Sequence, residues 1–177
     1  MRRRLLALLL VALVSGTVVG TVASAKGRLD VGPRIPALPK LEEVANICPV
    51  PSRYRPAFAR AAHETSLPLA MLVAVGQVES NLKADARSSA DARGLLQVLP
   101  STAAELRLNA DRPASNVLAG ARYLEQLLQR FHSTDLALAA YNAGPTAVAE
   151  AGGAPTEETV QYVANVTALW RELNGCR

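Results

Sequence analysis

From Ser52 onward the chain offers helix starts, helix stops and helical spacing, but no apolar–polar alternation long enough for a strand. That one-sided pattern excludes a sheet-based architecture and predicts a compact, all-α domain of short helices. In "NVLAGARYLEQLLQRF", Val117, Ala121, Leu124, Leu128 and Phe131 recur at alternating steps of four and three, which marks an amphipathic helix. "STDLALAAYNAG" opens at a Ser/Thr cap and stops at Gly144-Pro145. "TEETVQYVANVTALWREL" takes Thr156 as cap, carries Glu157 and Glu158 in the first turn where the helix dipole favours them, and sets Val163, Val166, Trp170 and Leu173 on one face. Upstream, "SRYRPAFARAAHET" predicts a first helix. "SLPLAMLVAVGQVES" predicts a second, with Ser66 as N-cap and Pro68 in the first turn. "TAAELRL" opens with Thr102 three residues before Glu105, a capping-box pattern, and "TAVAEA" stops at Gly152-Gly153.

The first residues belong to export rather than to the fold. "MRRR" is cationic, "LLALLLVALV" is apolar and short for a membrane span, and "VASA" at Val22–Ala25 is a cleavage signal. Residues 1–25 therefore read as a signal peptide rather than a retained anchor, and the protein as exported to the periplasm or beyond the cell. The first cysteine is Cys48, too far from the apolar run for a lipid anchor. Residues 26–51 carry Pro33, Pro36, Pro39, Pro49 and Pro51 and read as an extended tether, which puts the folded domain at 52–177. Three of the 19 Lys and Arg residues fall in the leader, so 16 remain against 15 Asp and Glu. A balance so near neutrality lacks the basic footprint of a nucleic-acid binder. The isolated pair Cys48 and Cys176 predicts a disulfide in an oxidising compartment, two free thiols being the other possibility.

One carboxylate sits oddly. Leu69, Leu72, Val73 and Gly76 form an inward stripe on the second helix, and Glu79 continues it three residues on. A carboxyl carried from an apolar stripe into a cleft is desolvated, which raises its pKa and suits it to act as a general acid. An ordinary solvated Glu at a helix end is the competing reading, although the helix dipole disfavours an anion there. Gln97, an amide within "LLQVL", is the second oddity, because a buried amide without partners is costly. No Cys, His or carboxylate cluster has metal-ligand spacing, so neither metal nor cofactor is implied. His63 and His132 stand alone on helices.

"ESN" at 79–81, "GLLQVLPSTA" at 94–103, "AGARYL" at 119–124, "AAYNAGP" at 139–145 and "ETVQYV" at 158–163 follow one another in the order and spacing of a known family. With these five segments the sequence resembles the soluble, family-1 lytic transglycosylases, lysozyme-like enzymes that cut bacterial peptidoglycan, over roughly residues 53–173. The resemblance implies Glu79 as the single catalytic acid/base and Ser80 as support for its local geometry. It implies Ser88 near the glycan's N-acetyl group, Gln97 lining the cleft, and Tyr141 and Asn142 from the Ala-Tyr-Asn-Ala-Gly motif, with the tyrosine beside the catalytic carboxyl. Tyr123 would be a cleft tyrosine, and Glu158 and Tyr162 would close the site from the last helix. Tyr123 and Tyr162 could equally be core residues with a surface hydroxyl, Asn142 a helix-end residue, and Glu158 a first-turn acid.

Three positions depart from the family pattern: Leu96 replaces methionine, the loop "KADARSSADARG" lacks a proline, and Asp91 stands where glycine is common. If that position needs positive φ, Asp is among the better substitutes. The implied chemistry is cleavage of the β-1,4 bond from N-acetylmuramic acid to N-acetylglucosamine, with a 1,6-anhydro end formed and no water consumed. A goose-type lysozyme-like hydrolase and a non-catalytic peptidoglycan-binding module are the rival readings. Small family members serve secretion, conjugation or pilus assembly, so a partner of that kind is implied alongside the glycan strand.

Overall fold

The computed structural model of the chain describes residues 47–177. The expected signal peptide at 1–25 and tether residues 26–46 lie outside the described residues. A 3-10 turn at Ser52–Tyr54 leads into seven helices there: α1 (Arg55–Thr65), α2 (Leu69–Ser80), α3 (Pro100–Glu105), α4 (Pro113–Phe131), α5 (Thr134–Ala143), α6 (Pro145–Ala151) and α7 (Glu157–Glu172). No strand occurs among the described residues. Isolated antiparallel bridges join Arg87 to Arg93 and Arg93 to Val98 in the long α2–α3 loop, so the all-α expectation holds.

α2 is the axis of the fold. Ala70 through Gly76 are all buried, so this helix is apolar on every side rather than along one stripe. α1 and α7 pack against it, α4 packs on α1 and α5, and α5 packs on α6 and α7. Phe58, Leu72, Leu96, Leu124 and Leu138 meet in the centre with at most 1 % exposure. Burying a side chain of this size stabilises by roughly 1.5–3 kcal/mol, which sets the core well above any surface ion pair.

The predicted caps divide. Ser133 and Thr156 cap α5 and α7, accepting from the backbone N–H of Leu136 and Thr159. Ser66 does not cap α2: it ends α1 in the left-handed region at φ 55°, and Pro68 holds the N-cap position. Proline biases the residue before it, Leu67, away from helical geometry, so α2 cannot begin earlier. Thr102 lies inside α3, because Pro100, suited to a first helical position, starts that helix two residues sooner.

The packed region also begins before Ser52. Cys48 and Val50 are each 3 % exposed, and the Cys48 N–H donates to the Arg177 carbonyl over 3.1 Å. The expected disulfide is present, linking Cys48 to Cys176 with their Cα atoms 4.8 Å apart.

Candidate active site

The site is built where α2 ends. Asn81 and Leu82 both take positive φ, 53° and 55°, and their N–H groups donate back to the Gln77 and Gly76 carbonyls. That closure stops the helix just after Glu79 and Ser80. Ser80 faces inward: its hydroxyl donates to the Leu95 carbonyl at 2.8 Å and accepts from the Lys83 N–H at 3.2 Å. It ties the start of the α2–α3 loop to its return, directly after Glu79.

Two residues that sequence reasoning passed over hold the returning loop. Asn116, fully buried on α4, accepts from the Leu96 N–H at 2.9 Å and donates to the Arg93 and Ala110 carbonyls at 2.6 and 3.0 Å. Gly120, one turn on, lies so close to Leu96 and Tyr141 that a Cβ there would come within 2.7 Å of the Leu96 Cβ and the Tyr141 hydroxyl. The available signal was an amide and a mid-helix glycine in step with Leu124 on the inward face.

Gln97 takes φ 44°, and its amide nitrogen donates to the Ala86 and Gly94 carbonyls at 3.2 and 2.9 Å. Both hydrogens are therefore spent on the loop, and only Oε1 is left to face a ligand. Asp91 has φ 63°, as its place in the loop anticipated, and its carboxylate pairs with Arg87 and Arg93. Asp111 pairs with the same two arginines, which closes an exposed four-member ring. Ser88 is exposed, and its hydroxyl accepts from the Ala92 N–H within the loop at 3.0 Å.

Glu79 is half-buried at the mouth of this scaffold. Tyr162, on α7 and 7 % exposed, donates its hydroxyl to Glu79 Oε1 at 2.7 Å. Burial pushes the Glu79 carboxyl up to about 7, against the lowering pull of that hydrogen bond. The hydroxyl of Tyr141, expected beside this carboxyl, donates to the Leu96 carbonyl at 2.8 Å rather than to Glu79. Tyr141 is still close to the carboxyl; burial first and then the Glu79 charge push its phenol well above the usual range.

A cleft of about 240 Å³ opens beside Tyr141, lined by Gln97, Thr102, Tyr123, Tyr141 and Asn142 among others, with Glu79 outside its lining. The Tyr123 and Tyr141 rings lie 5.4 Å apart, tilted by 47°. Asn142 accepts from the Thr159 hydroxyl at 3.0 Å, so it links α5 to α7 as well as lining the cleft. Glu158 is exposed in the first turn of α7 and makes no hydrogen bond or ion pair among the described residues. His63 and His132 are exposed. Among the described residues no group of three His, Cys, Asp or Glu could hold a metal ion, and no helix is long and apolar enough to cross a membrane.

The model of the transglycosylase SLT domain matches residues 56–162, well over half of the chain. This chain belongs to the transglycosylase SLT family. A membrane-bound lytic murein transglycosylase F of Alkalilimnicola ehrlichii is 36% identical to it over 100 residues, 52% of this chain and 20% of that protein. A putative soluble lytic murein transglycosylase of Haemophilus influenzae is 30% identical over 147 residues, covering 67% of this chain and 24% of that one. The crystal structure of an inactive variant of the lytic transglycosylase Slt from Pseudomonas aeruginosa superposes with a TM-score of 0.62 at 30% identity, covering 72% of this chain and 25% of that one. This SLT domain thus has the lysozyme-like fold of those structures, and the chain spans about a fifth to a quarter of the length of these relatives.

Proposed function

We propose that this SLT-family protein is a peptidoglycan lytic transglycosylase that cuts the N-acetylmuramic acid β-1,4 N-acetylglucosamine bond and leaves 1,6-anhydromuramyl ends. The observation that carries the proposal is Glu79: half-buried, raised to about 7 by desolvation, and held at one oxygen by Tyr162. Such a carboxyl is substantially protonated near neutral pH and can donate to the glycosidic oxygen. Paired-carboxylate glycosidases need a second acidic group to act as nucleophile or base. The lining of the cleft next to Tyr141 holds no acidic side chain, Glu79 itself standing outside that lining, and no second carboxylate hydrogen-bonds to Glu79 or Tyr162 among the described residues.

The remaining work then falls to the substrate and to Glu79 itself. As the C1–O bond breaks, the Glu79 proton goes to the leaving oxygen. The 2-acetamido carbonyl of the muramyl sugar stabilises the positive charge at C1. Glu79, now a carboxylate steadied by the Tyr162 hydroxyl, takes the proton of the same sugar's C6 hydroxyl, whose oxygen bonds to C1. Glu79 ends protonated, as it began. In this reading Tyr123, Tyr141, Asn142 and Gln97 Oε1 line the sugar's path, and Ser88 and Glu158 stand at its exposed margins. The names of the two relatives, both lytic murein transglycosylases, support the same chemistry. A role in opening the wall for a secretion, conjugation or pilus apparatus is a further part of the proposal and rests on the family resemblance alone.

Mass spectrometry of the fragments released from purified peptidoglycan, with Glu79→Gln beside the parent protein, tests the reading. Anhydro ends that disappear in the variant support it. Reducing ends, heavier by one water, would make the protein a hydrolase instead.

A further inference from the structure

α5 and α7 run antiparallel. Asn142 at the end of α5 meets Thr159 at the start of α7, while Thr134 at the start of α5 lies beside the last turns of α7. Glu79 and Tyr162 belong to the first of these ends. The other end opens into a separate cleft of about 400 Å³ lined by Thr134, Asp135, Thr167, Trp170, Arg171 and Asn174. Along α7, Trp170 stands eight residues beyond Tyr162, roughly 12 Å at the helical rise.

Thr167 singles this cleft out. Its Oγ1 is the one buried side-chain nitrogen or oxygen without a hydrogen-bond partner among the described residues. An orphaned buried hydroxyl costs free energy, and because this Oγ1 has almost no exposed surface it gains a partner in the cleft only when the Thr167 side chain turns toward it. Around it stand a second hydroxyl, an amide, one carboxylate, one guanidinium and the only tryptophan of the chain. Asp135 and Arg171 enter none of the ion pairs among the described residues, so both heads are available. Their charges cancel, and the cleft offers no net attraction to a charged peptide. It offers an aromatic surface and several neutral and planar donors and acceptors, which suit a neutral ring with one apolar face and hydroxyls around its edge.

We infer that the α5–α7 cleft is a second saccharide site, which holds an N-acetylated hexose unit of a glycan at a distance from Glu79. The inference rests on the glycan reading of the Glu79 cleft, to which it adds a second point of attachment for the same polymer. A strand held at two points gains effective concentration at the cutting site without a new contact there.

Trp170 is its own reporter, since no other tryptophan contributes emission. The experiment titrates Glu79→Gln protein with a soluble N-acetylglucosamine tetramer and follows Trp170 fluorescence and thermal unfolding, then repeats both in Glu79→Gln/Thr167→Val. The expected result is a saturable emission change whose Kd rises about threefold to tenfold with Thr167→Val, while the melting temperature is unchanged or higher because the orphaned hydroxyl is gone. No saturable change, or an identical Kd in both proteins, overturns the inference, the latter because emission would then be reporting the Glu79 cleft. So does a response to a free stem peptide with none to the sugar. Product analysis with the parent protein remains a separate measurement, so the second site can fail while the Glu79 chemistry stands, and the reverse.

Discussion

The hydroxyl of Tyr162 donates to Oε1 of Glu79 across 2.7 Å, joining residues 83 positions apart in the sequence. Two opposed effects meet at that carboxyl. Burial favours the protonated form, the hydrogen bond favours the ionised one, and burial wins, leaving the group at about 7. A group required first as acid and then as base works best with a pKa near the operating pH.

Tyr162→Phe removes the donor and leaves the burial. The Glu79 pKa then rises further, since the lost interaction was the one lowering it. A hydrogen bond to a charged group contributes about 1.5–3 kcal/mol, so the alkaline limb of the pH–rate profile should move up by roughly one unit or more. The rate near neutrality should fall on the order of tenfold, because the carboxylate formed in the first step loses its support. An unmoved pH profile would show that Tyr162 does not govern the carboxyl.

Glu79→Gln should lower glycan release by about 10² to 10⁴, and more if the group acts in both steps. It should also change stability with a definite sign. With a raised native pKa, the folded state holds its proton between the ordinary carboxyl value of 4.5 and about 7 while the unfolded chain loses it. Stability therefore falls as pH rises through that window. Glutamine does not titrate, so urea denaturation should show the variant gaining on the parent at pH 8 relative to pH 5. A stability difference independent of pH would contradict the burial of the carboxyl.

Asn116→Ala should cost about 3 kcal/mol, because it strands the Leu96 N–H and two carbonyls in the interior. Gly120→Ala should cost about 1–3 kcal/mol by driving a methyl group into Leu96 and the Tyr141 hydroxyl. Denaturant midpoints measure both. Activity lost by either variant should exceed the loss expected from unfolding alone, since both residues position the loop that carries Gln97.

The Cys48–Cys176 bond closes a sequence separation of 128 residues. On the chain-entropy account such closure stabilises by about 5 kcal/mol. Replacing both cysteines with serine should lower the melting temperature by ten degrees or more, at roughly 2–8 °C per kcal/mol. Mass spectrometry without reductant should find no free thiol in the parent.

Helix identity, the Ser133 and Thr156 caps and the exceptional place of Glu79 were all readable from local pattern, because period, cap chemistry and burial each leave a mark along the chain. What could not be read was which distant groups meet. Spacing places Tyr141 and Tyr162 on helices but does not say which hydroxyl faces Glu79 and which faces the Leu96 carbonyl. Gln97 shows the same limit: its amide stood out as needing partners, yet the partners, Ala86 and Gly94, come from the loop's own backbone. Ser66 and Thr102 missed their capping roles because prolines nearby decide where helices begin. Trp170 and Leu173 read as one face of α7, and both do pack against the core, but the tryptophan also borders a cleft that periodicity cannot show.

The covalent link between Cys48 and Cys176 makes everything between them a closed ring. A protease that cuts one exposed turn, such as the stretch around Arg107 or the Gly152-Gly153 pair, opens the ring without releasing a piece. Both flanks stay joined through the sulfurs, and a second cut is needed before any fragment can leave.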